Sequence, residues 1–170
     1  MPQGRRTAIS AGRDGLRTLL SAESRRFLRG LGESQLVFLR FFPSADGAFA
    51  DAAALLGRCA QECDTVICLD DGTAALHMPA SGQAQARACL RKALAAAGGS
   101  REASCALLAT LPAGLWDSAT PAQVLKELSA QLALCAPGAA TRHFIVREQE
   151  ERDEARVSAA ERSFLLSPLP

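Results

Sequence analysis

The chain of 170 residues has almost no net charge and no long apolar run. Each of these absences argues against a class of function. Its formal net charge is +1, so the chain as a whole has no electrostatic preference for nucleic acid or for an acidic membrane surface. Its apolar runs contain only a few residues each, whereas a helix that crosses a bilayer needs roughly 20. The N-terminus, Met-Pro-Gln-Gly-Arg-Arg, does not lead into the apolar core of a secretory signal. These features predict a cytoplasmic protein without a membrane span.

Aromatic residues are also scarce, at 5% of the chain. Residues 1–31 carry seven arginines against two acids, which is the strongest local excess of positive charge. Proteins that bind single-stranded nucleic acid place aromatic side chains among such cations as stacking platforms, and no platform is interleaved here. We therefore predict no nucleic-acid partner and interpret the arginines as the solvated face of a helix.

The sequence lacks the cysteine spacing of a zinc site. Its six cysteines are Cys59, Cys63, Cys68, Cys89, Cys105 and Cys135, and they fall inside apolar, periodic segments. In a cytosolic chain such cysteines are usually small buried hydrophobic residues. Cys59 and Cys63 stand four residues apart, which is wider than the paired spacing of zinc sites, and no fourth ligand accompanies them. We predict neither a metal nor another cofactor.

A predicted β-hairpin at residues 64–79 is the feature around which the chain is organised. Two apolar runs, Thr65–Leu69 and Ala74–Met78, flank Asp70-Asp71-Gly72. Asp-Gly sequences tolerate the positive φ angles that tight hairpin turns require. Together with Asp64 these aspartates offer oxygen ligands of the kind that Mg²⁺ accepts. Ordinary turn chemistry is the stronger interpretation of them.

Hydrophobic periodicity predicts the elements on either side of the hairpin. It predicts helices over residues 13–32, 49–63 and 120–135 and between Ser81 and Gly98, and strands over 35–42, 103–111 and 142–147. The helix start at Thr120 is the clearest boundary, because Thr120 and Gln123 can form a capping box with proline between them. Residues 1–12 are predicted to be flexible, 34–147 to form the domain, and 148–170 to be a charged extension.

The predicted helix over residues 13–32 is amphipathic, with apolar residues on one side and arginines on the other. It packs either on its own domain or against a second copy of the chain. The candidate partner contacts are Leu16, Leu19, Leu20, Phe27 and Trp116. For Trp116, which lies between a strand and a helix cap, folding onto its own core is the competing interpretation.

The order of these elements predicts the fold class. Helix, strand, helix, hairpin, helix, strand, helix and strand follow one another along the chain. A single sheet with helices packed on its faces satisfies the layer rules for such an order. We expect an α+β sandwich of the ferredoxin-like or palm kind, with a central, mostly antiparallel sheet and an added N-terminal amphipathic helix.

This order and the sequence around the hairpin resemble the GGDEF domain of diguanylate cyclases, which condense two GTP molecules into cyclic di-GMP. Residues 63–69 resemble the strand that enters the Gly-Gly-Asp-Glu-Phe hairpin, and residues 74–79 resemble the strand that leaves it and ends in proline. Residues 84–94 are similar to the alanine-rich helix that follows. The resemblance covers roughly residues 34–147 and rests on spacing and hydrophobic pattern.

Departures from the family pattern fall at its acidic positions. Asp70, Asp71, Gly72 and Thr73 occupy the first four signature positions, so glycine and threonine stand where the family has the acids that serve Mg²⁺ and the reacting hydroxyl. The first strand ends in Arg40-Phe41-Phe42-Pro43, where the family has a metal-binding aspartate. The family's inhibitory Arg-x-x-Asp site falls at Gln61 and Asp64, without its arginine.

The resemblance and these departures imply a catalytically inactive, GGDEF-like regulatory or protein-interaction module in bacterial signalling, whose partner is another protein or a second copy of the chain. The alternative is a nucleotide-binding or nucleotide-converting enzyme with a rearranged site at Asp70, Asp71, Gly72 and Thr73. A third interpretation is an unrelated ferredoxin-like domain that senses a ligand. His77 and His143 lie in predicted strands without the sequence context of a nucleophile and its base.

Overall fold

One six-stranded sheet forms the centre of the part of the chain that the computed structural model describes, which is residues 9–10, 12–27, 32–70 and 72–147. The strands are β1 (Ile9–Ser10), β2 (Ser34–Phe41), β3 (Thr65–Asp70), β4 (Thr73–Met78), β5 (Ser104–Leu111) and β6 (Arg142–Ile145). The helices are α1 (Gly12–Phe27), α2 (Ala52–Gly57), α3 (Gln83–Ala96), α4 (Leu115–Ser118) and α5 (Pro121–Ala133), and a 3₁₀ helix covers Gly98–Ala103.

The four inner strands have ferredoxin-like connectivity. The sheet order is β1-β3-β4-β2-β5-β6, and every pair within β3-β4-β2-β5 is antiparallel. Strands β2 to β5, with α2 and α3 between them, therefore form a β-α-β-β-α-β unit. Strand β1 extends this unit in parallel beside β3, and β6 does so beside β5. The predicted α+β fold with a mostly antiparallel sheet is confirmed.

Helices cover both faces of the sheet and create two apolar cores. Val37 and Leu39 of β2 point into the core beneath α2 and α3, whereas Leu36 and Phe38 point into the core beneath α1 and α5. Strand β2 is buried along both faces, which explains why its sequence is almost continuously apolar.

Helix α1 packs on its own domain. Leu16 and Leu20 are only 2% and 0% exposed, and they share a core with Ile67 of β3. Leu16 and Leu20 therefore have almost no surface left for contact with a partner. Burial against the sheet is the alternative that the sequence had left open.

Some element boundaries differ from those predicted. Within the segment predicted to be flexible, Ile9 and Ser10 pair with Ile67 and Cys68, while residues 1–8 and 11 lie outside the described part. The predicted helix over 49–63 is only the short α2, whose N-cap Asp51 accepts a hydrogen bond from the Ala54 amide. The capping box at the start of α5 is confirmed.

Helix α3 buries one face against the sheet. Ala84 is exposed, and the buried residues of this helix are Ala86, Cys89, Leu90 and Ala93. Its N-cap is Gly82, which makes no side-chain capping bond, while the Ser81 hydroxyl donates to the Pro79 carbonyl. Among the described helices, none is both long and apolar enough to cross a membrane.

Candidate functional site at the tip of the β3–β4 hairpin

The hairpin tip is held against the end of β2. Gly72 has a φ of +84°, and its carbonyl accepts a hydrogen bond of 2.8 Å from the Phe41 amide. A Cβ at this position would lie 2.7 Å from the Phe41 carbonyl oxygen and 2.5 Å from Cδ1 of Phe49. Glycine is therefore required here by its backbone angle and by its space. The register between β3 and β4 also shifts between Cys68 and Asp70.

A groove of about 330 Å³ lies beside the tip. Its walls are the segment that leads into α2 and the ends of β3 and β4, and its lining includes Phe49, Asp51, Cys68, Asp70 and Thr73. Phe49 exposes 43% of its surface there. The Asp51 carboxylate is occupied by the capping bond to Ala54, so it has less capacity for a ligand.

The four predicted hairpin residues are only partly assembled in this groove. Asp70 is exposed at the end of β3, and Asp71 lies outside the described residues. Thr73 is 5% exposed, and its Oγ1 is buried without a hydrogen-bond partner within the described ranges. In the sheet register Thr73 stands directly opposite Arg40. The Arg40 guanidinium carbon lies 5.1 Å from the centroid of the Phe42 ring, a cation–π contact.

Asp64 does not join the hairpin tip. Its Oδ2 accepts a hydrogen bond of 2.7 Å from the Gln61 amide, so the carboxylate closes the turn before β3. Asp70 is six positions further along the chain, at the far end of β3, a distance of roughly 20 Å. Within the described ranges, no three or more His, Cys, Asp or Glu side chains are grouped as metal ligands.

A buried acid–base pair connects α1 to β4. His77 Nε2 lies 3.2 Å from Glu23 Oε2, and the two residues are 5% and 8% exposed. Burial alone would raise the pKa of Glu23. Hydrogen bonding and the charge of His77, together with Ser34 and Arg26, outweigh burial and lower that pKa below its usual value. Glu23 is therefore an anion in the fold.

A chain of hydrogen bonds connects β2, β5 and β6 to α3. The Thr110 hydroxyl donates to Gln35 Oε1 over 2.8 Å, and it lies 3.1 Å from His143 Nε2. His143 Nδ1 lies 2.9 Å from Gln83 Nε2. Because the Thr110 proton is used on Gln35, these contacts define a neutral His143 that donates from Nε2 and accepts at Nδ1. Burial, followed by the charge of Arg87, lowers the pKa of His143 and favours this neutral form.

Sequence spacing gave no sign of these two histidine assemblies. Glu23 and His77 are 54 positions apart, and Gln83 and His143 are 60 positions apart. A signal was present nevertheless, because Gln35 and His77 interrupt strands that are otherwise apolar. A polar residue in such a strand needs a partner across the sheet or from a helix.

The expectation that the cysteines are buried holds for some of them: Cys59, Cys68 and Cys135 are only partly buried. Cys89 and Cys105 are buried, and Cys63 is exposed. Burial and the neighbouring Cys59 thiol raise the pKa of Cys89 to about 12. Burial and Cys105 raise the pKa of Cys135 to about 11. Both thiols are therefore protonated near neutral pH and are poor nucleophiles.

Two of the remaining candidate partner contacts are partly exposed. Leu19 and Trp116 are half-buried and pack at the margin of the core beneath α1 and α5. The backbone of Phe27 ends α1, and its side chain lies outside the described part.

The fold that these residues build is the GGDEF-domain fold. The GGDEF domain of TpbB (also called YfiN) from Pseudomonas aeruginosa matches 86% of this chain and 95% of its own, with 15% identity and a TM-score of 0.57. The FimX GGDEF domain of the same organism matches 79% of this chain and 94% of its own, with 12% identity and a TM-score of 0.54.

A third similar structure is the P. aeruginosa diguanylate cyclase SiaD in complex with its activator SiaC, at 14% identity and a TM-score of 0.56. The match covers 81% of this chain but only 59% of the SiaD chain. No protein-family profile and no curated protein matches the sequence. Identities this low establish the fold alone.

Proposed function

We propose that the chain is a catalytically inactive, GGDEF-like module that regulates or recruits another protein in bacterial signalling, in the cytoplasm. The observation that carries this proposal is the pairing of Arg40 with Thr73 across β2 and β4. Resemblance to the family places metal-binding acids at the end of the first strand and at the third and fourth hairpin positions. At these positions this chain has the cation of Arg40, the glycine Gly72 and the buried hydroxyl of Thr73.

The electrostatics of the tip also oppose the family's chemistry. Mg²⁺ binds carboxylate oxygens and phosphates, and the fixed charge of Arg40 repels it. The exposed Asp70 occupies one of the places where the family has a glycine, so an approaching phosphate meets a carboxylate of the same sign. Phe49 and the Phe41 carbonyl take up the space beside Gly72.

A cyclase assay tests this proposal. The purified chain is incubated with GTP and Mg²⁺, in parallel with an active diguanylate cyclase, and cyclic di-GMP is quantified. We expect no product from this chain while the active enzyme gives its normal yield. Turnover by the chain would contradict the proposal.

The partner of such a module is expected to be a protein. SiaD, a protein of the same fold, is seen in complex with its activator, which supports this expectation. Leu19 and Trp116 remain candidate contacts because both are partly exposed. Light scattering then tests self-association: a concentration-dependent dimer that Trp116→Ala weakens would identify the partner as a second copy.

A second candidate function is nucleotide binding at the hairpin groove. The groove of about 330 Å³ favours this function, as does the Thr73 hydroxyl, which has no hydrogen-bond partner among the described residues. Calorimetric titration with GTP, ATP and cyclic di-GMP separates the two candidates, because an inactive interaction module gives no heat at micromolar ligand. If a nucleotide binds, Asp70→Asn should change its affinity. Asp117→Asn, an exposed carboxylate on α4 at the other end of the sheet, should not.

A further inference from the structure

A second groove, of about 400 Å³, lies between α1 and the β3–β4 side of the sheet. Thr18, Leu19 and Ala22 of α1 form one wall, and Thr65 and Ile67 of β3 form the other. The volume is in the range of small-molecule sites, and the walls are mostly apolar. His77 pairs with Thr65 at the first position of β3, so the groove is at the end of the sheet opposite the hairpin tip.

The inner end of this groove is formed by the Glu23–His77 pair, and both residues line it. The pair joins α1 to β4 through a contact of 3.2 Å between nearly buried side chains, and it therefore fixes the separation of the two walls. The Glu23 carboxylate is engaged by His77, and the charge of Arg26 also contributes to lowering its pKa.

Arg26 supplies a positive charge at the same end. It is half-buried and lines the groove, and no carboxylate within the described ranges lies within 4.0 Å of its guanidinium. Two carboxylates line the groove as well: Glu23, which His77 engages, and the exposed Asp14, which lies at the opposite end of α1, roughly 18 Å from Arg26 along the helix axis. The groove thus combines apolar walls with the Glu23–His77 pair and a half-buried guanidinium, that of Arg26, at its inner end.

We propose that this groove binds a small apolar molecule that carries one carboxylate. The apolar part lies against Leu19, Ala22 and Ile67, and the carboxylate pairs with the guanidinium of Arg26, which can receive it through two parallel hydrogen bonds. The proposal concerns a ligand and a site that the proposed function does not include. It holds whether or not the hairpin groove binds a nucleotide.

Three ligands with the same alkyl chain and different head groups test the charge preference. The full chain is titrated by calorimetry with octanoate, octylamine and 1-octanol, each below its aggregation concentration. We expect saturable binding of octanoate at a single site, and binding of the other two that is weaker by about tenfold or more, the usual effect of losing one charge-assisted hydrogen bond. Equal binding of all three, or no binding of octanoate, would overturn the proposal.

Variants of α1 test the location. Arg26→Gln should weaken octanoate binding by about tenfold, whereas Arg25→Gln, an exposed arginine that does not line the groove, should leave it unchanged. Ala22→Leu should block binding by filling the groove, with the melting temperature retained as proof of folding. If Arg26→Gln and Arg25→Gln have the same effect, or if Ala22→Leu still binds octanoate normally, the groove is not the site.

Discussion

At the scale of single residues, Gly72 combines a positive φ angle with too little space for a side chain. We expect Gly72→Ala to destabilise the fold by about 2–4 kcal/mol, because it adds left-handed backbone strain to a clash with the Phe41 carbonyl. The Phe41 carbonyl is part of the backbone at the end of β2, so it cannot move aside without displacing the end of that strand. Urea denaturation followed by circular dichroism measures the free energy of unfolding.

Gly47 is the matched control for this prediction. Its φ of +80° is nearly the same, but an added Cβ would meet nothing within 4 Å. Gly47→Ala should therefore cost only about 1 kcal/mol, the penalty of the backbone angle alone. Equal losses at the two glycines would show that the contact with Phe41 and Phe49 contributes nothing.

Glu23 makes stability depend on pH in the acidic range. Its pKa in the fold lies below the usual 4.5, so the unfolded chain binds more protons as the pH drops below that value. The stabilisation is complete above about pH 4.5 and is lost as the pH falls through the lowered pKa.

Replacing Glu23 tests this linkage. Glu23→Gln should cost about 2 kcal/mol at neutral pH, because it removes the charged partner of a nearly buried histidine. The variant should also lose less stability than the native chain on acidification. Glu33→Gln, at an exposed position, is the control. Parallel losses in native chain and Glu23→Gln below pH 4.5 would assign the acid sensitivity to other carboxylates.

At the scale of elements, strand β6 is attached by side chains as well as by its backbone ladder. Thr110→Val keeps the shape of the side chain but removes the hydroxyl that joins Gln35 to His143. We expect a loss of about 1–2 kcal/mol, because the Gln35 amide oxygen is left buried without its donor. Amide hydrogen exchange in residues 142–145 should accelerate. Thr141→Val, which is exposed just before β6, should change neither quantity.

His143 gives the same attachment a dependence on pH. Its pKa is lowered from 6.5 in the fold, so the neutral form is favoured there. The contribution of this histidine is present above about pH 6.5 and is lost as the pH falls through the lowered pKa. A histidine titration followed by nuclear magnetic resonance should therefore give a midpoint for His143 below that of a histidine in an unfolded peptide. A midpoint at or above that value would contradict the hydrogen-bond arrangement.

The elements that the sequence predicted well are those specified by local chemistry. Thr120, Pro121 and Gln123 specify the start of α5 through contacts within one turn, and the structure contains both bonds of the capping box. The hairpin is specified in the same way by two apolar runs and a turn glycine. Local patterns also placed β2 within one residue of its observed start and end.

The features that could not be predicted depend on long-range contacts. Strand β1 has only two residues, too few for any periodicity, and it exists because β3 presents a free edge for pairing. Alanine favours a helix on a buried face and on an exposed face alike. The alanine-rich sequence of α3 therefore did not reveal which face of that helix is buried. The partners of His77 and His143 come from other elements, and the groove beneath α1 exists only once that helix is placed on the sheet.

At the scale of the whole molecule, α1 determines where the domain begins. The sequence separated residues 13–32 from a domain over 34–147, yet α1 shares a core with β2, β3 and β5 in the structure. A helix that belongs to the core should contribute to the free energy of unfolding. A connector helix that pairs with a second copy should contribute to the dimerisation constant instead.

Leu20→Ala distinguishes these two roles. Leu20 is on the inner face of α1 and is fully buried, so its truncation should lower the free energy of unfolding by about 2–5 kcal/mol through lost burial and the cavity that remains. Arg17→Ala, exposed on the same helix, should change it little. Light scattering on both variants supplies the second measurement. If Leu20→Ala left the urea midpoint unchanged but dissociated a dimer, α1 would be a connector and the domain would begin at β2. We expect the opposite result, because truncating a buried leucine leaves a cavity in the core of its own domain.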